Sequence, residues 1–93
     1  MFIGCCQIEL HLHASGSLKE KRKVISSLRD RLRRRYNVSF AEVEHQDVWQ
    51  RAGLALVAVS SHRPSLDSLF QSVRQEVERS IPGDVLQFEV EYL

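Results

Sequence analysis

The chain has 93 residues, of which 43% are hydrophobic and 27% are charged. This is the usage of a compact globular protein rather than a disordered one, and the length suits one domain, 1–93. No apolar run approaches the roughly 20 residues that cross a bilayer, and the amino terminus lacks the pattern of a secretory signal. We therefore expect a cytoplasmic protein with no membrane partner, whose adjacent Cys5 and Cys6 are reduced thiols.

The net charge of +1 hides a strong asymmetry along the chain. Between Lys19 and Arg35 stand nine basic and two acidic residues, a local charge of +7. The rest of the chain has four basic and ten acidic residues, a charge of −6. Such segregation creates a local positive field on a nearly neutral molecule, which bears on partners more than on fold.

The first predicted element is a strand over 2–13, because apolar residues occupy most of the alternate positions that form one face. A helix over 17–36 follows, with Ser17 as its N-cap and Glu20 at the capping-box position. Its apolar residues recur at helical spacing, and Lys21 falls within the apolar arc. We expect the stem of this lysine to pack on the core while its amine reaches the surface.

Two further strands are predicted over 38–44 and 52–60, and the second of them is apolar on both faces, as in a strand covered on two sides. Pro64 fits the first turn of a second helix. A last strand is predicted over 85–93. Its inward-facing residues are predicted to be Leu86, Phe88, Val90 and Tyr92.

The predicted order of elements, β-α-β-β-α-β, indicates a ferredoxin-like α/β fold (an α+β sandwich). In this fold two helices pack on one face of a four-stranded antiparallel sheet. Right-handed crossovers place the first and third strands in the middle of the sheet, and we expect these two strands to be parallel to each other.

Four segments of the chain are similar to one known family. They are Ser-Leu-Lys-Glu-Lys-Arg at 17–22, Tyr-Asn-Val-Ser at 36–39, Ala-Glu-Val at 41–43 and Asp-Val-Trp-Gln-Arg-Ala at 47–52. Together they resemble the YlxP-like bacterial family, a domain of unknown function, over nearly the whole chain. The resemblance implies a ferredoxin-like fold. Because members of the family are typically encoded among translation and transcription factors, it also implies a role near ribosomes or RNA, and it implies no catalytic residues.

The first predicted helix carries its basic residues in rows, at spacings of three and four along two flanks. Several of these pairs repel each other at i,i+4, so the rows do not help the helix to form. Rows of lysine and arginine suit a phosphate backbone, which they contact without reading bases. The alternative is a solvated basic face, or one neutralised by the acidic remainder of the protein in an oligomer. The residues predicted to contact nucleic acid are Lys19, Arg22, Lys23, Arg29, Arg33, Arg34, Trp49 and Arg51.

Trp49 and Arg51 belong to this set because an exposed tryptophan beside an arginine can stack on a base. The alternative interpretation, which the sequence favours, is structural. In it Trp49, the only tryptophan, closes the small core, and Asp47 pairs with Arg51 across the turn.

The outer face of the predicted sheet lacks the aromatic residues that RNA-recognition modules of this fold class display on their central strands. We therefore do not expect bases to stack on the sheet. The apolar character of the third strand instead predicts a homodimer through the sheet face.

Two other possible ligand sites receive little support from the sequence. The helix start, from Ser15 to Lys19, offers backbone N–H groups and a lysine to an anion, but Ser17 is expected to cap its own helix. His11 and His13 share a strand face and would bind zinc if a third ligand approached. No third ligand stands close to them in the sequence, so no metal is predicted.

The sequence thus predicts a non-enzymatic RNA- or ribosome-associated module, without a cofactor, that binds phosphate backbone through its basic first helix. The alternative is a structural or regulatory homo-oligomeric module that docks an acidic protein. An enzyme of the acylphosphatase type is disfavoured, because the loop at 14–17 is short and contains no arginine.

Overall fold

The computed structural model describes residues 1–13 and 15–93, so that Ala14, in the predicted polar link, lies outside the described residues. The βαββαβ order is confirmed, and each predicted boundary lies within about two residues of the observed one. Neither helix of the described chain is long and apolar enough to cross a membrane. The elements are β1 (Phe2–Leu12), α1 (Leu18–Arg35), β2 (Ser39–Glu44), β3 (Arg51–Ser60), α2 (Arg63–Ser80) and β4 (Gly83–Tyr92).

The four strands form one sheet in the order β2-β3-β1-β4, and every neighbouring pair is antiparallel. The prediction that β1 and β3 lie in the middle is confirmed, but the prediction that they are parallel is wrong. The crossover through α1 leaves β1 and β2 running the same way, and the β2–β3 hairpin then reverses the chain. β3 is therefore antiparallel to both of its neighbours.

The core lies between one face of the sheet and the two helices. The even-numbered residues of β1 from Gly4 to Leu12 are buried on this face, as the alternation predicted. A Cβ on Gly4 would lie 2.5 Å from Cε2 of Phe70, so only glycine leaves room for the ring from α2. Burial, and secondarily the neighbouring Cys5, raises the pKa of the Cys6 thiol to about 12.

The start of β4 departs from the predicted alternation. Glu9 pairs with Gln87 and Leu10 pairs with Val85, which leaves Leu86 as the extra residue of a β-bulge. The bulge turns Leu86 outward, where 52% of its surface is exposed, and the prediction that it faces inward is wrong. Beyond the bulge the predicted phase is restored, and the partly buried residues that pack on the core are Phe88, Val90 and Tyr92.

The other face of the sheet, here called the open face, carries no helix. In the described chain Val57 and Val59 of β3 are 41% and 55% exposed, so β3 is covered on one side only. On β4 the outward residues include Glu89 and Glu91, which are exposed beside β1. The open face is therefore apolar along β3 and acidic along β4.

Candidate nucleic-acid interface

Helix α1 begins with the predicted N-cap. Ser17 Oγ accepts a hydrogen bond from the Glu20 backbone N–H at 3.1 Å, which confirms the cap. The Glu20 carboxylate turns back and accepts from the Gly16 N–H at 2.7 Å. The Gly16 N–H and the Ser17 hydroxyl of the segment considered as an anion site are thus engaged inside the chain, and the anionic Glu20 side chain stands where an anion would bind.

Lys21 is the first basic residue of α1 that holds the fold together. Its side chain is buried, with 1% of the residue exposed, and its Nζ lies 2.7 Å from Glu42 Oε2. The same ammonium donates to the carbonyl oxygens of His45 at 2.5 Å and Val48 at 2.8 Å. The expectation that the amine reaches the surface is wrong, because these oxygens replace water around the charge.

The carbonyls that Lys21 binds belong to the connection between β2 and β3. His45 has a left-handed backbone conformation, with φ of 62°. Among the described residues it is the one non-glycine residue with positive φ. The Val48 N–H donates to the His45 carbonyl at 3.0 Å, so the connection turns tightly around the ammonium. The buried amine therefore ties the β2–β3 connection to α1.

Arg35 is a second structural cation, at the opposite end of α1. Its Nη1 donates to Glu76 Oε1 at 2.8 Å, and Arg79 donates to Glu76 Oε2 at 2.7 Å. The hydrogen bond from Arg79, followed by that from Arg35, outweighs desolvation and lowers the pKa of Glu76 to about 2. This buried carboxylate was not among the predicted functional residues, although its place between Val73 and Val77 in the apolar stripe of α2 was a signal.

The flank of α1 nearest β2 bears the predicted row of Arg22, Arg29 and Arg33. These three side chains line one surface groove together with Phe40 and Glu42 of β2. At about 1.5 Å per residue the row is about 16 Å long. Within residues 1–13 and 15–93, Arg22 and Arg33 have no carboxylate within 4.0 Å. The structure thus brings the row together as one cationic groove, here called the arginine groove.

Arg29 contributes to the arginine groove despite having a neighbour of opposite charge. Its Nε lies 3.1 Å from Asp30 Oδ1, and both side chains are well exposed. A surface pair of this kind is worth about 0–1 kcal/mol, so a stronger anion can displace it. The carboxylate of Glu42, which also lines the groove, is compensated by Lys21. The arginine groove therefore keeps a positive field.

The remaining predicted cations lie outside the arginine groove. Lys19, Lys23 and Arg34 are exposed, and the described part of the chain places no carboxylate within 4.0 Å of them. Lys23 lines a second groove with Arg31, between α1 and the connection that follows α2. The positive field of α1 thus extends over two flanks, of which the β2 flank has the continuous arginine row.

The structure separates Trp49 and Arg51 from this row. Trp49 is 51% exposed in the β2–β3 connection, so the favoured expectation that it closes the core is wrong. Arg51 donates through Nε to Glu9 Oε1 at 3.1 Å, and not to Asp47 as expected. The same carboxylate oxygen lies 2.8 Å from His45 Nε2. Arg51 is therefore part of an ion-pair network on the open face, whereas Trp49 remains an accessible aromatic ring.

The open face offers no platform for stacked bases. In the described chain its central residues from β1 and β3 are aliphatic, thiol or polar apart from the Glu9–Arg51 ion pair and His11 at one end, and its outer strand β4 adds carboxylates. The carboxylates that β4 adds to this face repel phosphate. The residues concerned are Ile3, Cys5, Gln7, Glu9, His11, Arg51, Ala55, Val57, Val59, Gln87, Glu89 and Glu91.

Two solved structures of designed proteins are similar to this chain in fold. The de novo designed protein LFR1 1, with ferredoxin fold, is 10% identical with a TM-score of 0.53, and the match covers 100% of this chain and 84% of that chain. The de novo designed protein Ferredog-Diesel is 15% identical with a TM-score of 0.54, and the match covers 96% of this chain and 83% of that chain. At these identities the likeness shows the ferredoxin-like fold alone.

A natural relative shares much more of the sequence. The uncharacterized protein YlxP of Bacillus subtilis (strain 168) is 38% identical, and the match covers 85% of this chain and 92% of that protein. Residues 3–90 match the family described as "Protein of unknown function (DUF503)". Both findings confirm the resemblance to YlxP-like proteins that the four segments predicted. The chain belongs to the DUF503 family, whose function is unknown.

Proposed function

We propose that this protein is a non-enzymatic RNA- or ribosome-associated module that acts in the cytoplasm and binds phosphate backbone through α1. The observation that carries the proposal is the arginine groove, in which Arg22, Arg29 and Arg33 stand in one row about 16 Å long. Guanidinium groups bind phosphate oxygens in pairs of hydrogen bonds, and a row of them contacts successive phosphates without reading sequence.

The division of charge between the two faces supports the same proposal. Lys21 and Arg35 each have a carboxylate partner on another element that compensates charge within the chain. Among the described residues, the cations of the arginine groove have no such partner on another element, and their mutual repulsion is relieved when phosphates bind. Because Glu89 and Glu91 lie on the open face, a polyanion approaches from the helical side.

The experiment is a binding titration of ribosomal RNA fragments with the wild type and with an Arg22→Gln, Arg29→Gln, Arg33→Gln triple variant. We expect the affinity of the triple variant to fall at least tenfold at about 0.1 M salt, because three phosphate contacts are lost. Circular dichroism and urea unfolding establish that the variant is folded. Unchanged affinity in the folded variant removes the proposal.

A matched pair of double variants separates the groove from net charge. One double variant combines Arg29→Gln with Arg33→Gln on α1, and the other combines Arg63→Gln with Arg74→Gln on α2. Both lower the net charge by the same amount. Arg63 and Arg74 lie on α2, against the rings of Tyr92 and Phe88 of β4. If the groove binds RNA, only the α1 double variant weakens binding strongly. Equal weakening by both indicates attraction to total charge rather than a site.

The second candidate function is a homo-oligomeric interaction module that docks an acidic protein on α1. The exposure of Val57 and Val59 on the open face favours it, because large apolar side chains in the middle of a sheet mark a contact with another surface. A second copy of the chain is the occupant to test, by sedimentation equilibrium of the wild type and a Val57→Lys, Val59→Lys variant. A dimer abolished by the two lysines supports this candidate, and a wild-type monomer contradicts it.

A further inference from the structure

We propose that His11, His13 and Asp84 form a binding site for a divalent transition ion of the zinc class, at the end of the sheet where β1 meets β4. The residues stand apart from the arginine groove, so this site is independent of the proposed RNA contact. Two imidazoles and one carboxylate are the ligand set that such ions take in proteins.

The strand geometry brings the two imidazoles together. His11 lies in β1 and His13 stands one residue beyond the end of the strand, and both imidazoles approach the Asp84 carboxylate. Their ring centroids are 5.1 Å apart, with an interplanar angle of 63°. Two rings set edge to face at this distance can each turn one nitrogen toward a shared point.

The third ligand comes from the far end of the chain. Asp84 is the cross-strand partner of His11 in the β1–β4 ladder. Its Oδ2 lies 2.7 Å from His13 Nε2 and 3.9 Å from His11 Nδ1, and the three ligand atoms all lie within 4.8 Å of one another. At bond lengths of about 2.0–2.2 Å, ligands of a tetrahedral zinc ion stand about 3.4 Å apart. The observed separations bracket that value, so rotations of the side chains suffice to close the site.

The backbone around the site is held firmly. The His13 N–H donates to the Pro82 carbonyl at 2.9 Å. A Cβ on Gly83 would lie only 1.9 Å from the His11 carbonyl oxygen, so the backbone of β4 presses directly against that of β1. Asp84 follows this glycine immediately, so the β1–β4 ladder sets its backbone position opposite His11.

Charge also favours an ion at this place. Within residues 1–13 and 15–93, no lysine or arginine lies within 4.0 Å of Asp84, and its ion-pair contacts are with the two histidines. A second group of similar composition, Glu9 with Glu44 and His45, differs because Arg51 already provides its cation. The site of His11, His13 and Asp84, by contrast, has no lysine or arginine among the described residues to neutralise its carboxylate. Its three protein ligands leave one coordination position of a tetrahedral ion for water or a partner group.

The test is calorimetric titration of Zn²⁺ into protein free of any histidine tag, together with the absorption spectrum of the Co²⁺ form. The site variants are His11→Ala, His13→Ala and Asp84→Asn. The matched controls are His62→Ala, which removes an exposed histidine before α2, and His45→Ala, which removes the histidine of the second group. Circular dichroism of every variant establishes that the fold is retained.

We expect one Zn²⁺ per chain, and at least a tenfold loss of affinity in each site variant but not in the His62→Ala control. The Co²⁺ form is expected to show the absorption of a four- or five-coordinate ion, and His13→Ala is expected to remove it. The proposal is overturned if the wild type binds no Zn²⁺, or if the His11→Ala, His13→Ala double variant binds it as tightly as the wild type. A dominant loss in His45→Ala also overturns it, because the ion then sits in the second group.

Discussion

The two ends of α1 and its β2 flank use the same residue types for different purposes. At the ends of α1, Lys21 forms an ion pair with Glu42 and Arg35 forms one with Glu76. Each ion pair joins α1 to another element. On the flank, the cations of the arginine groove meet solvent. A count of basic residues therefore overstates the charge offered to a partner. The position of a carboxylate partner, which the fold decides, divides structural cations from those open to a ligand.

The largest effect is expected at Lys21. Substitution Lys21→Met keeps the stem but leaves the Glu42 carboxylate and the carbonyls of His45 and Val48 without their donor. We expect the free energy of unfolding to fall by about 3 kcal/mol, at the low end for a broken buried pair because Glu42 is partly exposed. Urea unfolding at neutral pH measures it.

The matched control for this prediction is Lys19→Met, which makes the same change on an exposed turn of the same helix. The control is expected to change the free energy of unfolding by less than about 0.5 kcal/mol. Similar losses in both variants contradict the division between structural and exposed cations of α1.

An intermediate effect is expected in the salt dependence of RNA binding. If Arg22, Arg29 and Arg33 contact phosphate as proposed, their triple variant loses three contacts, and the slope of log affinity against log salt falls by about 2 for single-stranded RNA. Its free energy of unfolding stays nearly constant, since the lost side chains include a repelling i,i+4 pair. Filter binding at four salt concentrations gives the slope, and an unaltered slope contradicts the assignment of these arginines to phosphate.

The smallest effect is expected at Glu76 and appears as a dependence on pH. Its pKa is lowered in the folded chain to about 2 from an ordinary value of 4.5. The stabilisation is therefore complete above the ordinary pKa and is lost as pH falls through the lowered one. Glu76→Gln should be less stable than the wild type at neutral pH, and the two should converge between about pH 4.5 and 2. Exposure of the Arg35 and Arg79 side chains keeps the effect modest.

Urea unfolding at a series of pH values measures the convergence. Glu78→Gln is the control, because Glu78 pairs with Arg74 at 2.9 Å on the exposed side of the same helix. If Glu78→Gln shows the same convergence as Glu76→Gln, the buried carboxylate has no special role in joining α1 to α2.

The order and limits of the elements could be predicted because they depend on local periodicity. The alternation in β1 and the cap at Ser17 need only neighbours in sequence. The inward face of β4 could not be predicted, because the bulge at Leu86 is set by its register with Glu9 and Leu10. The alternation read from the sequence holds on one side of a bulge and reverses on the other.

Long-range contacts also decide what could be predicted about the candidate sites. The arginine row follows from helical spacing alone, and the structure places its members in one groove. The burial of Lys21 depends on oxygens that the β2–β3 hairpin brings back to α1. The grouping of Asp84 with the histidines likewise depends on a strand pair that joins the two ends of the chain. The local pattern places Lys21 in the apolar arc and the two histidines on one face, but it does not identify the distant partners of either.

The adjacent cysteines give the protein a built-in attachment point for a spectroscopic probe. Strand alternation puts Cys6 in the core, where its raised pKa keeps the thiol protonated, and puts Cys5 on the open face with partial exposure. A thiol-reactive fluorophore should therefore modify the native chain once, at Cys5, with no cysteine removed. The emission of this fluorophore would report whether the open face stays exposed to solvent or becomes buried when RNA, Zn²⁺ or more of the same protein is added.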